Sequence, residues 1–234
     1  MTSAFLGVLL LLQVPTPLSA FDRAKAESLI INRLPCLGCH ELGGAGGRIG
    51  PSLSDVRQRR TPAYVYGIVK DPQGTVPGTI MPRVPMSEAT RRLITSYLVQ
   101  REPSRPAPAS RPESRASPAS PGARDPTLDT SLVASAALYA RFCAPCHGVR
   151  GLGDGYNAAN LPVRPTAHAD STYMATRSDD ALFDAIAAGG YVMNRSNRMP
   201  SFGQTLTGDE IRGLVRYLRR LCRCEGPAWS RDNE

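Results

Sequence analysis

The sequence has few aromatic residues and almost no lysine. Aromatic side chains make up 6% of its 234 residues, with a single Trp, and Lys25 and Lys70 are the only lysines. The length leaves room for two small domains. Small domains with few large side chains bury only modest cores, so the composition favours a protein whose core is completed by a large apolar cofactor.

No apolar run approaches the roughly 20 residues that a membrane-spanning helix needs. The clearest run, Phe5 to Val14, lies in a segment without any charge and precedes Leu18-Ser19-Ala20. This pattern is typical of a secretory signal peptide, although no Lys or Arg precedes the run. We expect residues 1–20 to be a leader cleaved after about Ala20 and the protein to be periplasmic, with retention through an uncleaved leader as the alternative.

The excess of positive charge lies in the first half of the chain. Residues 21–101 carry twelve basic and six acidic residues, a net of +6, whereas residues 128–234 carry twelve and eleven, a net of +1. Arg57, Arg59 and Arg60 form the densest cluster. No nucleic-acid-binding module accompanies this charge, so we expect no nucleic acid partner. An acidic protein partner is favoured over a merely solvated surface, because complementary fields speed encounter.

A Pro-rich segment separates two similar halves. Residues 102–127 contain seven Pro and consist otherwise mainly of Ser, Ala and Arg, a composition typical of a flexible linker. Extended, it would reach roughly 80 Å, so the sequence leaves the distance between the halves open. We expect domains at 21–101 and 128–224, followed by a tail at 225–234.

Each half repeats one order of helical segments, without strand alternation. The predicted opening and closing helices cover 23–33, 87–100, 132–142 and 207–221. A middle helix begins at Thr61 in the first half, and another begins at Ser178 and ends at Gly189-Gly190 in the second. Thr61-Pro62 and Ser178 provide start signals, and Thr207 with Glu210 has the spacing of a capping box. The sequence therefore predicts an all-α protein built from two small helical domains.

Two copies of a Cys-x-x-Cys-His motif follow the opening helices. They are Cys36-Leu37-Gly38-Cys39-His40 and Cys143-Ala144-Pro145-Cys146-His147. This spacing is the attachment pattern of c-type haem, because two thiols reach the vinyl groups at one porphyrin edge while the adjacent His lies under the ring. A zinc half-site or a redox dithiol also uses Cys-x-x-Cys, but neither explains the His that directly follows both copies.

A Met-Pro dipeptide follows each motif. Met81 lies 41 residues after His40, and Met199 lies 52 residues after His147. Zinc sites do not predict these dipeptides or the closing helices. A thioether sulfur is a soft ligand that favours ferrous iron and raises the reduction potential.

With these motifs, each half resembles a class I cytochrome c domain, and the resemblance covers most of the chain outside the leader and the linker. The second half, with its Gly-rich stretch 151–155, is especially similar to bacterial cytochrome c domains. The resemblance implies two covalently attached haem c groups. It also implies that the iron is bound by His40 with Met81 and by His147 with Met199, and that the first and last helices of each domain pack together.

Other side chains compete for the iron. Met86 lies five residues beyond Met81, Met193 competes with Met199, and His168 is the one histidine outside the motifs. We expect the two competing methionines to fill gaps in loops or cores. We expect His168 to be a surface residue or a hydrogen-bonded one.

In this family, a Pro carbonyl soon after the motif accepts a hydrogen bond from the iron-binding His, which orients its ring. The resemblance points to Pro51 in the first half and leaves Pro162 and Pro165 open in the second. Arg48 is a possible partner of a haem propionate.

Cys222 and Cys224 lie outside the motifs, and three outcomes are open for them: a local disulfide, a bond to another chain, or free thiols. Side chains two residues apart on a helix point away from each other. A local disulfide therefore requires the helix to end first, which Gly226 and Pro227 favour, and an exported location favours oxidation.

These features predict an electron-transfer protein rather than an enzyme. The expected donor is a cytochrome b-type quinol-oxidising complex or a periplasmic dehydrogenase, and the acceptor is a haem-copper oxidase or a reductase. Membrane association would arise only through such partners or an uncleaved leader. The alternatives are a haem-bearing subunit fixed in a respiratory or photosynthetic complex and a di-haem peroxidase, which needs an open iron position that two methionine ligands would close.

Overall fold

The computed structural model describes residues 17–102 and 130–230. Nearly all of the predicted linker and residues 1–16 of the predicted leader lie outside these ranges. The helices of the first half are α1 (Ala20–Asn32), α2 (Cys36–Cys39), α3 (Val56–Arg59), α4 (Pro62–Lys70), α5 (Pro72–Thr75) and α6 (Glu88–Gln100). Those of the second half are α7 (Thr130–Leu138), α8 (Ala144–His147), α9 (Ser171–Met174), α10 (Asp179–Ala188) and α11 (Gly208–Cys222).

Local capping explains where the longer helices begin. The side chains of Thr61, Ser87, Ser178 and Thr207 each accept a hydrogen bond from a backbone N–H in the first turn, which satisfies a donor that the helix itself leaves unpaired. Thr207 also forms the complete predicted capping box with Glu210. The predicted starts of these four helices are therefore confirmed.

The two opening helices begin earlier than predicted. Ser19 caps α1 by accepting from the Asp22 N–H at 3.0 Å, and the Leu18 N–H donates to Gln100 Oε1 at 2.9 Å. The predicted cleavage point after Ala20 thus falls within the first turn of a folded helix. In the second half, α7 continues as a π-helical turn over Tyr139–Cys143 that leads directly into α8.

A short hairpin departs from the purely helical expectation. Strands β1 (Glu41–Leu42) and β2 (Ala45–Gly46) pair antiparallel directly after the first motif. Gly43 and Gly44 connect them with φ angles of 63° and 88°. This left-handed conformation suits glycine and produces the tight turn preferred by two-residue hairpins.

The buried hydrophobic residues form two clusters, one in each half. In the first half, α1 packs against α6, and in the second half α7 packs against α11, as the resemblance implies. The first cluster includes Ala26, Ile30, Val65, Ile94 and Leu98. The second includes Tyr139, Ile186, Phe202, Ile211, Leu214 and Leu218. In residues 17–102 and 130–230, no helix has both the length and the apolar character needed to cross a membrane.

Cys222 and Cys224 form the local disulfide, with their Cα atoms 5.1 Å apart. Helix α11 ends at Cys222, and Arg223 adopts a left-handed conformation with φ 49°. The chain therefore reverses at Arg223, before it reaches the Gly226 and Pro227 that the sequence suggested as the cause.

Candidate haem-binding site

The first motif forms a single helical turn that presents His40 to a neighbouring loop. The His40 N–H donates to the Cys36 carbonyl at 2.9 Å, which closes α2. His40 Nδ1 lies 2.7 Å from the carbonyl oxygen of Pro51. A carbonyl can only accept, so Nδ1 carries the proton and Nε2 keeps the lone pair that an iron ligand needs. Pro51 is the residue to which the resemblance pointed.

Gly50 allows the His40 ring to lie directly against the backbone. A Cβ atom at Gly50 would lie 2.4 Å from Cε1 of His40 and 2.7 Å from its Nδ1. The N–H of Gly50 also donates to the Cys39 carbonyl at 2.8 Å. The loop after the motif therefore fixes the orientation of the imidazole, because Gly50 packs against the ring and the Pro51 carbonyl accepts its hydrogen bond.

We expect Gly50→Ala to displace His40 and to disrupt haem binding in the first half, because the added methyl group occupies the space of the ring. Absorption spectra of the purified protein should show a loss of six-coordinate low-spin haem approaching one half. Gly208→Ala is the matched control, since its Cβ would meet nothing nearer than Arg212 at 3.5 Å. Unchanged spectra for Gly50→Ala would contradict the assignment of His40.

The second motif uses a different carbonyl from either of those proposed. His147 Nδ1 lies 2.9 Å from the carbonyl oxygen of Thr166, so neither Pro162 nor Pro165 is the acceptor. The Pro165 carbonyl faces Gly153 instead, where a Cβ would lie only 2.4 Å away. This packing against Gly153 leaves the carbonyl of the next residue, Thr166, to orient His147.

The Gly-rich stretch 151–155 wraps around the second motif. The N–H of Gly153 donates to the His147 carbonyl at 2.8 Å, and that of Gly155 donates to the Cys146 carbonyl at 3.1 Å. A Cβ at Gly155 would lie 2.3 Å from the Pro145 carbonyl oxygen. Only glycine therefore lets the loop come close enough for its N–H groups to donate to the backbone carbonyls of the motif.

The second half contains a partly open cavity of about 270 Å³ that brings the predicted haem ligands together. Cys143, Cys146, His147 and Met199 all line it, and so do Met193 and His168. Its apolar walls include Phe142, Leu182, Ile186, Phe202, Leu214 and Leu218. A cavity with two thiols, an imidazole, a thioether and apolar walls matches the chemistry of a covalently bound porphyrin.

Arginine side chains supply the charge that haem propionates would need. Nε of Arg177 and both Nε and Nη1 of Arg198 are buried, and among the described residues they have no hydrogen-bond partner. Both side chains line the cavity. A buried donor without a partner is costly, so these orphaned donors fit a site completed by the carboxylates of a bound haem.

His168 lies beside His147 rather than opposite it. The two rings are stacked, with centroids 4.0 Å apart and planes 14° apart. His168 Nδ1 lies 3.1 Å from Tyr139 Oη, whose hydroxyl donates to the Gly148 carbonyl at 3.2 Å. A second axial ligand must lie on the opposite face of the porphyrin, so this stacking argues against His168 as an iron ligand. It is a hydrogen-bonded histidine that supports the His147 ring.

Both methionine loops are held by hydrogen bonds to the methionine backbone carbonyls. The Gly190 N–H donates to the Met199 carbonyl at 3.0 Å, just beyond the end of α10. In the first half, Gln73 Nε2 donates to the Met81 carbonyl at 2.8 Å. Met86 packs against the first hydrophobic cluster, as expected of a core residue.

Burial keeps the motif side chains neutral. It raises the pKa of Cys36 to about 11 and that of Cys143 to about 12, and burial with the nearby Cys146 raises the pKa of Cys39 to about 12. Reactive dithiols instead have lowered pKa values, which argues against thiol-exchange chemistry. Burial also lowers the pKa of His40 below its ordinary value, which favours the neutral imidazole that binds iron.

Three residues at this site escaped the sequence reasoning. Asn157 is completely buried between the two motifs, and Arg198 lies at the same junction. Tyr139 supports His168 from the π-helical turn. A polar residue in a Gly-rich loop gives no local sign of burial, so only the fold reveals the role of Asn157. The Arg48 N–H donates to Asn157 Oδ1 at 2.7 Å, while its pairing with a propionate stays a prediction.

Comparison with family models gives a match in the second half. Residues 131–218 match the family model of cytochrome c oxidase, cbb3-type, subunit III. No curated protein matches the chain. Among solved structures, the KustC0563 c-type cytochrome is 26% identical, with a TM-score of 0.31, over 37% of this chain and 95% of that chain. A Kuenenia stuttgartiensis reducing HAO-like protein complex, Kustc0457/Kustc0458, is 21% identical, with a TM-score of 0.34, over 69% of this chain and 72% of that chain.

The family match coincides with the part of the chain that holds the partly open cavity. Cys143, Cys146, His147 and Met199 all fall within residues 131–218. A cytochrome c domain implies covalently bound haem c and a role in electron transfer. The match therefore supports a cytochrome c, with an electron-transfer haem domain over residues 131–218.

Proposed function

We propose that this protein is a periplasmic di-haem cytochrome c that carries single electrons between redox proteins. The observation that carries the proposal is the repetition of one arrangement. In each half the imidazole that ends the Cys-x-x-Cys-His motif donates through Nδ1 to a backbone carbonyl, at 2.7 Å for His40 and 2.9 Å for His147. The proposal of a haem in the first half thus rests on the likeness of that half to the second, which the family model matches.

Each proposed residue has a defined task. The thiols of each motif would attach the haem covalently, and the iron would be held by His40 with Met81 in the first half and by His147 with Met199 in the second. The apolar walls exclude water, and the buried arginines near the second haem balance the propionates. Bound haem c supplies a one-electron iron couple, and ligands present in both iron states keep structural change on electron transfer small.

The proposed docking surface depends on the net charge of the first half rather than on its densest cluster. Arg57 pairs with Glu102 at 3.0 Å and Arg59 pairs with Asp55 at 2.6 Å. These ion pairs reduce the local field of the cluster. The net charge of +6 over residues 21–101 still favours an acidic redox partner. We propose a quinol-oxidising complex or a periplasmic dehydrogenase as donor and a haem-copper oxidase or a reductase as acceptor.

A second candidate function is a haem-bearing subunit fixed in a membrane oxidase. The description of the matching family, a subunit of a cbb3-type oxidase, favours this alternative. A di-haem peroxidase is less well supported, because a methionine follows each motif to occupy the second axial position.

Fractionation of the source cells would separate these functions. The soluble and membrane fractions are run on a native gel, stained for covalent haem, and the stained band is analysed by mass spectrometry. We expect a soluble band near the mass of the cleaved chain with two haems. Co-migration with a cytochrome b or an oxidase in the membrane fraction would favour the fixed subunit, and a single haem would contradict the di-haem proposal.

A further inference from the structure

Asn157 belongs to the second half but makes its side-chain hydrogen bonds largely with the first. Its Nδ2 donates to the Gly38 carbonyl at 2.8 Å, and its Oδ1 accepts from the Arg48 N–H at 2.7 Å. The same Nδ2 lies 3.4 Å from Cys146 Sγ. The residue is 0% exposed. A single buried amide therefore contacts both haem-attachment motifs at once.

The backbones of the two halves meet closely around this amide. A Cβ at Gly38 would lie 2.0 Å from the carbonyl oxygen of Arg198, the residue before Met199. A Cβ at Gly47 would lie 2.9 Å from Asn157 Nδ2. No side chain would fit at either position, so glycine lets the loops of the two halves come into direct contact there.

Both methionine loops also reach across the junction. The Arg83 N–H, two residues after Met81, donates to Thr205 Oγ1 at 2.9 Å. Asn197 Nδ2, two residues before Met199, donates to the Ile31 carbonyl at 3.0 Å. The loops expected to bind iron from each half are thus held by residues of the other half.

We propose that the two halves form one fixed unit, in which Asn157 locks the two Cys-x-x-Cys-His motifs against each other and so sets the separation of the two haem sites. This inference rests on the proposed di-haem function. Asn157 is a positioning residue, because it acts through the motif backbones and not on iron. The linker then only connects the halves and does not set the distance between them, which the sequence alone left open.

The hydrogen bonds of Asn157 provide a direct test in the full-length haem-loaded protein. The Arg48 N–H is protected from hydrogen exchange only while its bond to Asn157 Oδ1 persists. We expect slow exchange in the wild type and about tenfold faster exchange at this amide in Asn157→Ala, the effect of losing one buried hydrogen bond. The amides of α10, remote from the junction, should be unchanged.

Two further variants separate the lock from a general loss of stability. Asn157→Asp keeps the acceptor for Arg48 but places a buried carboxylate oxygen against the Gly38 carbonyl, so it should loosen the junction at least as much as Asn157→Ala. Asn160→Ala is the matched control in the same loop, because no side-chain hydrogen bond is found for Asn160 in the described part of the chain. Rapid exchange of the Arg48 amide in the wild type, or equal exchange in Asn157→Ala and Asn160→Ala, would overturn the proposal.

A magnetic measurement reports directly on the separation of the two haems, which would not change if Asn157 only contributed to stability. Two ferric haems at a fixed short separation interact, and electron paramagnetic resonance detects this as altered line shape and relaxation. We expect this magnetic interaction in the wild type and in Asn160→Ala, and a weaker interaction in Asn157→Ala. An unchanged interaction in Asn157→Ala would contradict the proposed role of Asn157. Haem counting by mass on the same samples tests the di-haem function separately, since hydrogen exchange reports on the junction whatever the haem number.

Discussion

Replacing Cys143 and Cys146 together by Ala is expected to leave the protein with one covalently attached haem, held by the first motif. The two thiols are the only covalent links between the second haem and the chain in the proposed site, and both line the cavity of the second half. Denaturing gels stained for haem, together with intact mass, measure the loss. The remaining signal should be half that of the wild type, because the motif of Cys36 and Cys39 is untouched.

The same double substitution should strongly destabilise the second half. Without a covalently held cofactor, the apolar walls of this partly open cavity of about 270 Å³ are exposed to water, which costs about 25 cal/mol per Å² of apolar surface. A small domain is only marginally stable, so this loss should lower its free energy of unfolding markedly. Circular dichroism during heating should therefore show early melting of part of the helical signal.

Cys222→Ala with Cys224→Ala is the matched control for this experiment. It also removes two cysteines from the second half, but these form the local disulfide at the end of α11 and do not line the cavity. We expect this variant to keep both haems. Equal haem content in the two double variants would show that Cys143 and Cys146 do not attach a cofactor.

Features governed by neighbouring residues could be predicted from the sequence. The helix starts at Thr61, Ser178 and Thr207 depend on a hydroxyl three residues from its donor, and this relation is visible in the sequence. The local disulfide was one of three open outcomes, because the sequence did not show that Arg223 would adopt a left-handed conformation.

Features governed by distant contacts could not be predicted. The packing of Pro165 against Gly153 decides which carbonyl orients His147. The sequence suggested the carbonyls of two prolines and did not indicate that of Thr166. The burial of Asn157 depends on the docking of residues more than a hundred positions apart. The Pro-rich linker suggested that the two halves are independent. The composition of a linker, however, carries no information about whether the surfaces of the two halves pack together.

Met199→Ala is expected to change the iron chemistry of the second haem without removing the haem. Loss of the thioether removes the sulfur-to-iron charge-transfer band in the far-red spectrum of the ferric protein. It should also lower one of the two reduction potentials by on the order of 0.1–0.3 V, a fraction of the roughly 0.8 V that axial ligands span. Spectra and a potentiometric titration of the purified protein measure both effects.

The variant Met193→Ala tests which of the two methionines binds the iron, since both side chains line the cavity. Met199 is held by the Gly190 N–H at 3.0 Å and followed by Pro200. Met193 instead follows Val192, which is 70% exposed, in a surface turn. An iron ligand must keep its position in both oxidation states, so the anchored methionine is favoured. We expect Met193→Ala to keep the far-red band and both potentials, and loss of the band in Met193→Ala alone would reassign the ligand.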